Sequence, residues 1–348
     1  MSRRLCRTVR PWRRAAANVA GILVLVGACA FAPGSAAAEQ IKIGLIRIAT
    51  GGPLFIAQEK GYFAAEGLDA ELVYFDSAQP IAVATVSGDI DFGAAGLTAG
   101  FYSLAGQGAL RIIAGSIREV PGFQFVGYLA SNRAYEAGLR SPKDFAGRAV
   151  AVPQIGSANH YNVSLLAEKY GFDLKGIRLL PLQSLPNVAT AIAGGQADAG
   201  PLNATLAIPL VQRGDAKLIG WVGDETPWQF GAVWTATKTT NDKRDIVQRF
   251  LRAHQKGARD YHDAWADAND KRKDGPTAPE VLALTAKYLG QPPEQVKLGI
   301  VYVDGDARLD VKDILHQIAW YKSQGMVKPD IDGDQIVDKR YVVPLSER

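Results

Sequence analysis

The sequence predicts a two-lobed α/β protein, with parallel-rich sheets covered by helices on both faces. Three observations carry that expectation. Strand-type and helix-type segments alternate from residue 41 to residue 220, as parallel strands joined by helical crossovers require. The order of segments returns after about 105 residues. Local wording returns with it: SGDIDFG (87–93) answers GGQADAG (194–200), and Pro80 answers Pro186. A repeat of that length describes two similar lobes rather than a solenoid.

Residues 1–38 stand apart from the pattern. The first 14 hold six arginines and no acid, residues 15–32 are apolar and Ala-rich, and Ala36, Ala37 and Ala38 offer an A-x-A cleavage site before Glu39. This is the make-up of a secretory signal peptide, and the apolar run is too short and Ala-rich for a good membrane span. Val26, Gly27, Ala28 and Cys29 form a loose lipobox, so a lipid anchor on Cys29 is the alternative to cleavage after Ala38. The pairs Arg3, Arg4 and Arg13, Arg14 leave twin-arginine export open beside the general route. Removing six arginines from 39 basic residues leaves 33 against 35 acids, so the whole-chain charge of +4 becomes −2. A nucleic-acid reading then has no basis. Both cysteines, Cys6 and Cys29, lie in the leader; a chain cut after Ala38 has no disulfide, thiol nucleophile or cysteine zinc site.

The first copy opens with a strand at 41–48 (IKIGLIRI) and a turn at 49–52. A helix follows from Pro53, which suits a first helical position, to Glu66, with Gly67 as its stop. Then come a strand at 69–75 (DAELVYF), a helix at 80–87 closed by Gly88, a strand at 89–93 (DIDFG) and a turn at 94–98. A helix to Gln107 and a strand at 110–115 complete the copy. The second copy runs strand 148–153, turn 154–157, helix 158–170 stopped by Gly171, strand 177–182, helix 186–193, strand 196–200, turn 201–205, helix to Arg213 and strand 216–220. Val163, Leu166, Ala167 and Tyr170 give the 158–170 helix its apolar spacing. Extended apolar runs at 123–131 and 231–237 read as two crossings between the lobes, and hence a hinge. The domain plan is a leader at 1–38, lobe I at 39–127, lobe II at 128–232, and a return to lobe I with C-terminal helices at 233–348. In that tail, helices are expected at 242–265, 279–289 and 311–324, with a polar, surface-lying end from Met326.

Open α/β sheets bind ligands at the carboxyl ends of their strands. The turns at 50–52, 96–98, 156–161 and 203–205 fall there, and two such rims facing each other make a cleft. The passage through Gly156 and Ser157 into a helix aims free N–H groups and a hydroxyl at one point, a place for an anion or another acceptor. Ser157 either meets a ligand oxygen or only caps its helix. Asn203 either meets ligand or only satisfies its turn, and Thr50 and Thr98 face the same choice. Asn159, His160 and Tyr161 occupy the first helical turn; His160 is a ligand contact or an exposed helix histidine. Tyr161 and Trp228 divide between cleft wall and core. Arg118, between the fourth strand and Pro121, suits an anionic solute, against the plainer reading of a surface salt bridge. Arg47 has a similar, weaker claim.

Enzyme signatures are missing from the sequence: no G-x-S-x-G elbow, no P-loop and no H-E-x-x-H. The histidines at 160, 254, 262 and 316 are scattered, and the 330–334 run DIDGD lacks the glycine position and final Glu of a calcium loop.

Taken together, PLFIAQEKGYFAAEGLDAELV (53–73), SGDIDFG (87–93), SPKDFAGRAVAVPQIGSANHY (141–161) and GGQADAG (194–200) resemble the substrate-binding proteins of the nitrate/sulfonate/taurine class of ABC importers, over residues 40–237. The resemblance implies a type II periplasmic-binding-protein fold with two crossing strands at the hinge and a ligand between the lobes. It points to Thr50, Gly51, Thr98, Gly156, Ser157, Asn159, His160 and Asn203 as contacts. The resemblance implies ligands from small oxyanions and sulfonates to aromatic acids and thiamin precursors. The expectation is therefore the extracytoplasmic solute-binding component of an ABC importer, periplasmic and monomeric. It captures a small anionic organic solute by hinge closure and works with an inner-membrane permease and its ATPase. No reaction, cofactor, metal or nucleic acid is expected. Two other readings stand beside it. One is an enzyme resembling the pyrimidine synthases of thiamin biosynthesis, which are cytosolic, so that a leader argues against it. The other is a ligand-binding sensor module acting on a membrane receptor.

Overall fold

The computed structural model describes residues 38–345; the expected leader, with Cys6, Cys29 and the arginine pairs, falls outside them apart from Ala38. Two five-stranded sheets organise the described chain. The first contains β1 (Glu39–Ile46), β2 (Leu68–Phe75), β3 (Phe92–Gly96), β4 (Leu110–Gly115) and β11 (Gly231–Ala236), in the order β2-β1-β3-β11-β4. The second contains β6 (Val126–Ser131), β7 (Ala149–Val152), β8 (Arg178–Pro181), β9 (Ala199–Asn203) and β10 (Ala216–Trp221), in the order β10-β6-β9-β7-β8. Read from its other edge, the second order matches the first strand for strand. A short pair, β5 (Ile117–Arg118) with β12 (Tyr302–Val303), lies beside them.

In each sheet the strands joined by helical crossovers are parallel: β1 with β2 and β3, β7 with β8 and β9. The strand each sheet takes from beyond a crossing, β11 or β6, is antiparallel to its neighbours. The crossings themselves run side by side. Glu119 N–H donates to the Trp228 carbonyl at 2.9 Å, and Trp228 N–H donates back to that of Glu119 at 3.1 Å. Most of each expected crossing run is the strand just past this junction.

The third strand of each copy starts three residues later than its sequence suggests, and for one reason in both. Asp91 N–H donates to the Lys42 carbonyl (2.9 Å) while the Asp91 carboxylate accepts from Lys42 N–H (2.8 Å). Asp198 does the same to Ala149, at 2.8 and 2.9 Å. The aspartate side chain closes the ladder, so DID and QAD are the approach to the strand rather than its body. The strand-end turns are correspondingly short, and β3 and β9 run almost directly into their helices.

Two further expectations are corrected. The helix foreseen from Pro53 to Glu66 breaks into Gly52–Glu59 and Tyr62–Ala65, because Gly61 takes a left-handed backbone (φ +69°). The end beyond Met326 is not a surface tail. Val327, Ile331, Ile336 and Val337 are buried against the first sheet's cluster, and Asp338 N–H donates to the Ile112 carbonyl at 2.9 Å.

The long helix Arg244–Trp265 buries Ile246, Phe250, Ala253, Gly257, Tyr261 and Ala264 on one face. Phe250 stacks on Phe92 of β3 with ring centroids 3.9 Å apart. Helix Val311–Ser323 sends Ile314, Ile318 and Tyr321 into the core of the first sheet. Among the described residues no helix is long and apolar enough to cross a membrane.

Candidate functional site

The matching strand orders place like turns opposite like turns. From the first sheet, β1 ends at Ile46 and leads through Ile48 to Thr50; β2 ends before Asp76, Ser77 and Ala78; β3 ends at Gly96 and leads to Thr98. From the second, β7 leads through Pro153 and Gln154 to Ser157, Ala158 and Asn159; β8 leads to Gln183, Ser184 and Leu185; β9 ends at Asn203. All six turns line one cavity of about 100 Å³, with Phe230 from the second crossing closing one wall. That is several times the room one water needs.

Each turn ends in a helix N-terminus, where backbone N–H groups lack intrahelical acceptors and carry partial positive charge. Thr98 spends its hydroxyl locally: Oγ1 accepts from Phe101 N–H (3.1 Å) and donates to Gln79 Oε1 (2.9 Å). Ser157 Oγ accepts from His160 N–H at 3.3 Å, so it caps its helix and keeps its own O–H to give. Asn159 donates one amide hydrogen to the Pro201 carbonyl at 3.3 Å and keeps Oδ1. Asn203 caps nothing and makes no side-chain hydrogen bond among the described residues, although only 6% of it is exposed. Its amide faces the cavity, with a donor and an acceptor to offer a solute. Gln183 holds a left-handed backbone (φ +70°) in the wall, a conformation that costs a non-glycine residue about 1–2 kcal/mol and is retained most often at functional positions.

Among the described residues the wall contains no lysine or arginine, and Asp76 is its one charged side chain. Ile46, Ile48, Ala95, Ala158, Leu185 and Phe230 supply apolar surface between the polar turns. Polar turns spaced by apolar surface suit a small solute with a polar end and a hydrocarbon or ring portion.

Of the residues singled out from the sequence, Thr50, Thr98, Ser157, Asn159 and Asn203 lie in this wall and the others do not. Gly51 lies just inside, where an added side chain would strike Phe55 and Leu45. Gly156 sits behind the wall at φ +76°; its carbonyl accepts from Ala99 N–H (2.9 Å) and from the Tyr321 hydroxyl (3.2 Å). His160 is buried behind the wall rather than exposed on its helix. Its Nδ1 accepts from Gly156 N–H at 3.1 Å, its ring meets Trp320 edge-on, and burial pulls its pKa down to about 4. Tyr161 and Trp228 are core residues, packed on each other with ring centroids 4.8 Å apart. Arg118 lies outside the cavity and faces Asp310 at 3.6 Å, and Arg47 lies over the Tyr74 ring.

The turns after β2 and β8 escaped sequence reasoning, and with them Asp76, Ser77, Gln183 and Ser184. Neither turn contains glycine. The signal was the repeat itself: once two strands of each copy end at a rim, the parallel strand beside them must end there too.

Contacts also join the two sheets' layers beyond the cavity. Helix Val311–Ser323, seated on the first sheet, meets helix Ala158–Tyr170 of the second. The Tyr161 hydroxyl and His316 Nδ1 are 2.7 Å apart, and His316 Nε2 lies 3.3 Å from the Glu168 carboxylate. Gln295 donates to the Thr205 carbonyl at 2.7 Å.

Two matched sheets, two adjacent crossings and one cavity ringed by strand ends define the two-lobed periplasmic-binding-protein class of fold. Within that class, the chain belongs to the NMT1/THI5-like family, whose profile matches residues 50–266. Solved structures agree on the fold. The alkanesulfonate-binding protein SsuA from Xanthomonas axonopodis pv. citri, bound to MOPS, is 19% identical with a TM-score of 0.68, covering 87% of this chain and 99% of its own. The periplasmic aliphatic sulphonate binding protein SsuA from Escherichia coli is 15% identical with a TM-score of 0.67, covering 89% and 94%. The periplasmic nitrate-binding protein NrtA from Synechocystis PCC 6803 is 14% identical with a TM-score of 0.66, covering 87% of each chain. A search of curated proteins returns no match.

Proposed function

We propose that the protein is the extracytoplasmic solute-binding component of an ABC importer, holding a small organic acid between its lobes. One observation carries this reading: six strand-end turns, three from each sheet, surround a single cavity. Thr50, Ser157, Asn159 and Asn203 supply hydroxyl and amide contacts, and helix N-termini supply the field that draws an acidic group. The sulfonate- and nitrate-binding functions of the similar structures support an oxyanion-bearing solute. The lobes, drawn at 39–127 with the return from 233 and at 128–232, close about the paired crossings, and a membrane permease reads the closed form. Export by the arginine-rich leader, a periplasmic location and action as a monomer complete the proposal. The wall also favours capture over catalysis: its titratable side chain is Asp76, while His160 is turned into the core.

The test is a thermal-shift screen of the mature protein against alkanesulfonates, nitrate, aromatic carboxylates and aminopyrimidines, each confirmed by calorimetry. A cognate solute at 100-fold above its Kd should add about 2.7 kcal/mol of stability. Conversion of a bound compound to product, with release, contradicts the reading and favours an enzyme.

A further inference from the structure

Building on the proposed function, in which the paired crossings are the hinge, we infer that Glu119 makes lobe closure sensitive to pH: the neutral carboxylic acid belongs to the closed form and the carboxylate to the open one. Glu119 lies in the first crossing, directly after β5. Its main chain is half of the bridge that ties the crossings together, exchanging both N–H···O bonds with Trp228. Residues that face each other in such an antiparallel pair send their side chains to the same side. The carboxyl therefore lies with the Trp228 indole at the point about which the lobes swing. It is fully buried, and neither of its oxygens has a hydrogen-bond partner among the described residues. Trp228 Nε1 is likewise buried and donates to nothing there.

The surroundings favour the uncharged acid. Asp224, whose carboxylate accepts from Gly122 N–H at 3.0 Å, repels a negative charge on Glu119. From β6, the Val126 N–H approaches without completing a hydrogen bond, and the Tyr128 hydroxyl is spent on the Asn162 carbonyl at 3.1 Å. One step back along the extended chain, Arg118 points the other way, toward Asp310 at 3.6 Å. Lys169 is taken up by Glu225, the neighbour of Asp224. Asp313 meets the second crossing at Gln229 N–H, one residue past Trp228, and brings a further acid rather than a cation. An unpaired carboxylate in so dry a place is costly, and burial raises the Glu119 pKa well above the usual carboxylate range. The bridge flexes when the lobes part, and water that reaches it lets the carboxyl ionise. The carboxylate then resists return to the dry pair. Closing takes up a proton, so a rising pH favours the open form, by up to about tenfold per pH unit where the open form is ionised and the closed form is not.

Inter-lobe distances measured by double electron–electron resonance on the ligand-free mature protein test this, since both native cysteines lie in the leader. Spin labels on Asp69→Cys and Lys175→Cys read the separation; both residues are exposed, one in the edge strand β2 and one just before the edge strand β8. Between pH 5 and pH 8.5 the protein with Glu119 intact should shift from a shorter to a longer separation. Glu119→Gln, an isostere of the neutral acid, should keep the shorter one throughout. Circular dichroism at each pH establishes that the variant is folded, and Glu119→Met, equally unable to ionise, takes its place if it is not. The same pH response with and without Glu119 overturns the inference. So does a separation that alkanesulfonates or nitrate shorten but pH leaves alone, a result read without either variant that leaves the hinge intact. One separation that neither pH nor any screened compound changes overturns hinge closure, and this inference with it.

Discussion

At the scale of single residues, the charge state of buried groups decides how the protein responds to pH. His254 is buried on the long helix, stacked on Phe250, and burial lowers its pKa to about 4; His160 is lowered to about 4 for the same reason. The unfolded chain therefore binds protons at these sites between about pH 6.5 and 4 that the folded chain refuses. Stability contributed by the neutral rings is full above pH 6.5 and is lost as pH falls through that window, by up to about 3 kcal/mol for each. Asp313 opposes them. Burial raises its pKa to about 6, so the folded chain takes up a proton first and gains stability as pH falls below 6. Glu119, buried and pushed well above the usual carboxylate range, opposes them too, so the histidines' share is read from the slope of Tm between pH 7 and 4.5, which they tilt downward toward acid. His254→Gln should flatten that slope. An unchanged slope would place the acid sensitivity elsewhere. Residue scale is also where sequence reading succeeded least evenly. Asn159 reaches the cavity and His160 does not, because a helix turns about 100° per residue and one step carries the side chain from the wall to Trp320.

At the scale of elements, the helix Val311–Ser323 fastens one lobe's helix layer to the other's. Its Tyr321 and His316 reach Gly156 and Tyr161 of the opposite lobe, next to the turn that contributes Ser157 and Asn159 to the wall. If this seam forms on closure, Tyr161→Phe removes one hydrogen bond from the closed form alone, worth about 1 kcal/mol. Calorimetry should then show about fivefold weaker solute binding, with the ligand-free Tm nearly unchanged. An unchanged Kd with a lowered ligand-free Tm would show that the seam persists in both forms. Four of the six cavity turns were legible because glycine, threonine, serine and asparagine marked them. The other two were hidden: FDSAQ turns into its helix on an extended serine, and LQSL turns on a left-handed Gln183, which no residue preference announces. The late start of β3 and β9 was hidden as well, since only the three-dimensional ladder shows an aspartate side chain standing in for a strand partner.

At the scale of the whole molecule, the repeat in the sequence was the decisive clue, because two copies of one strand order bring like ends together. The buried C-terminal end was the least legible part. Its apolar residues are few and irregularly spaced, and they become core only against β4, over two hundred residues away in sequence. Solute capture by this fold requires a ligand gripped from both sheets at once. Isothermal titration of Thr50→Ala and Asn203→Ala, one from each sheet, with the solute found by screening tests that most directly. Each substitution alone should weaken binding by about tenfold, the cost of one lost hydrogen bond to a polar or charged group. Full affinity in either variant, with its fold intact, would mean that the solute does not lie between the two sheets.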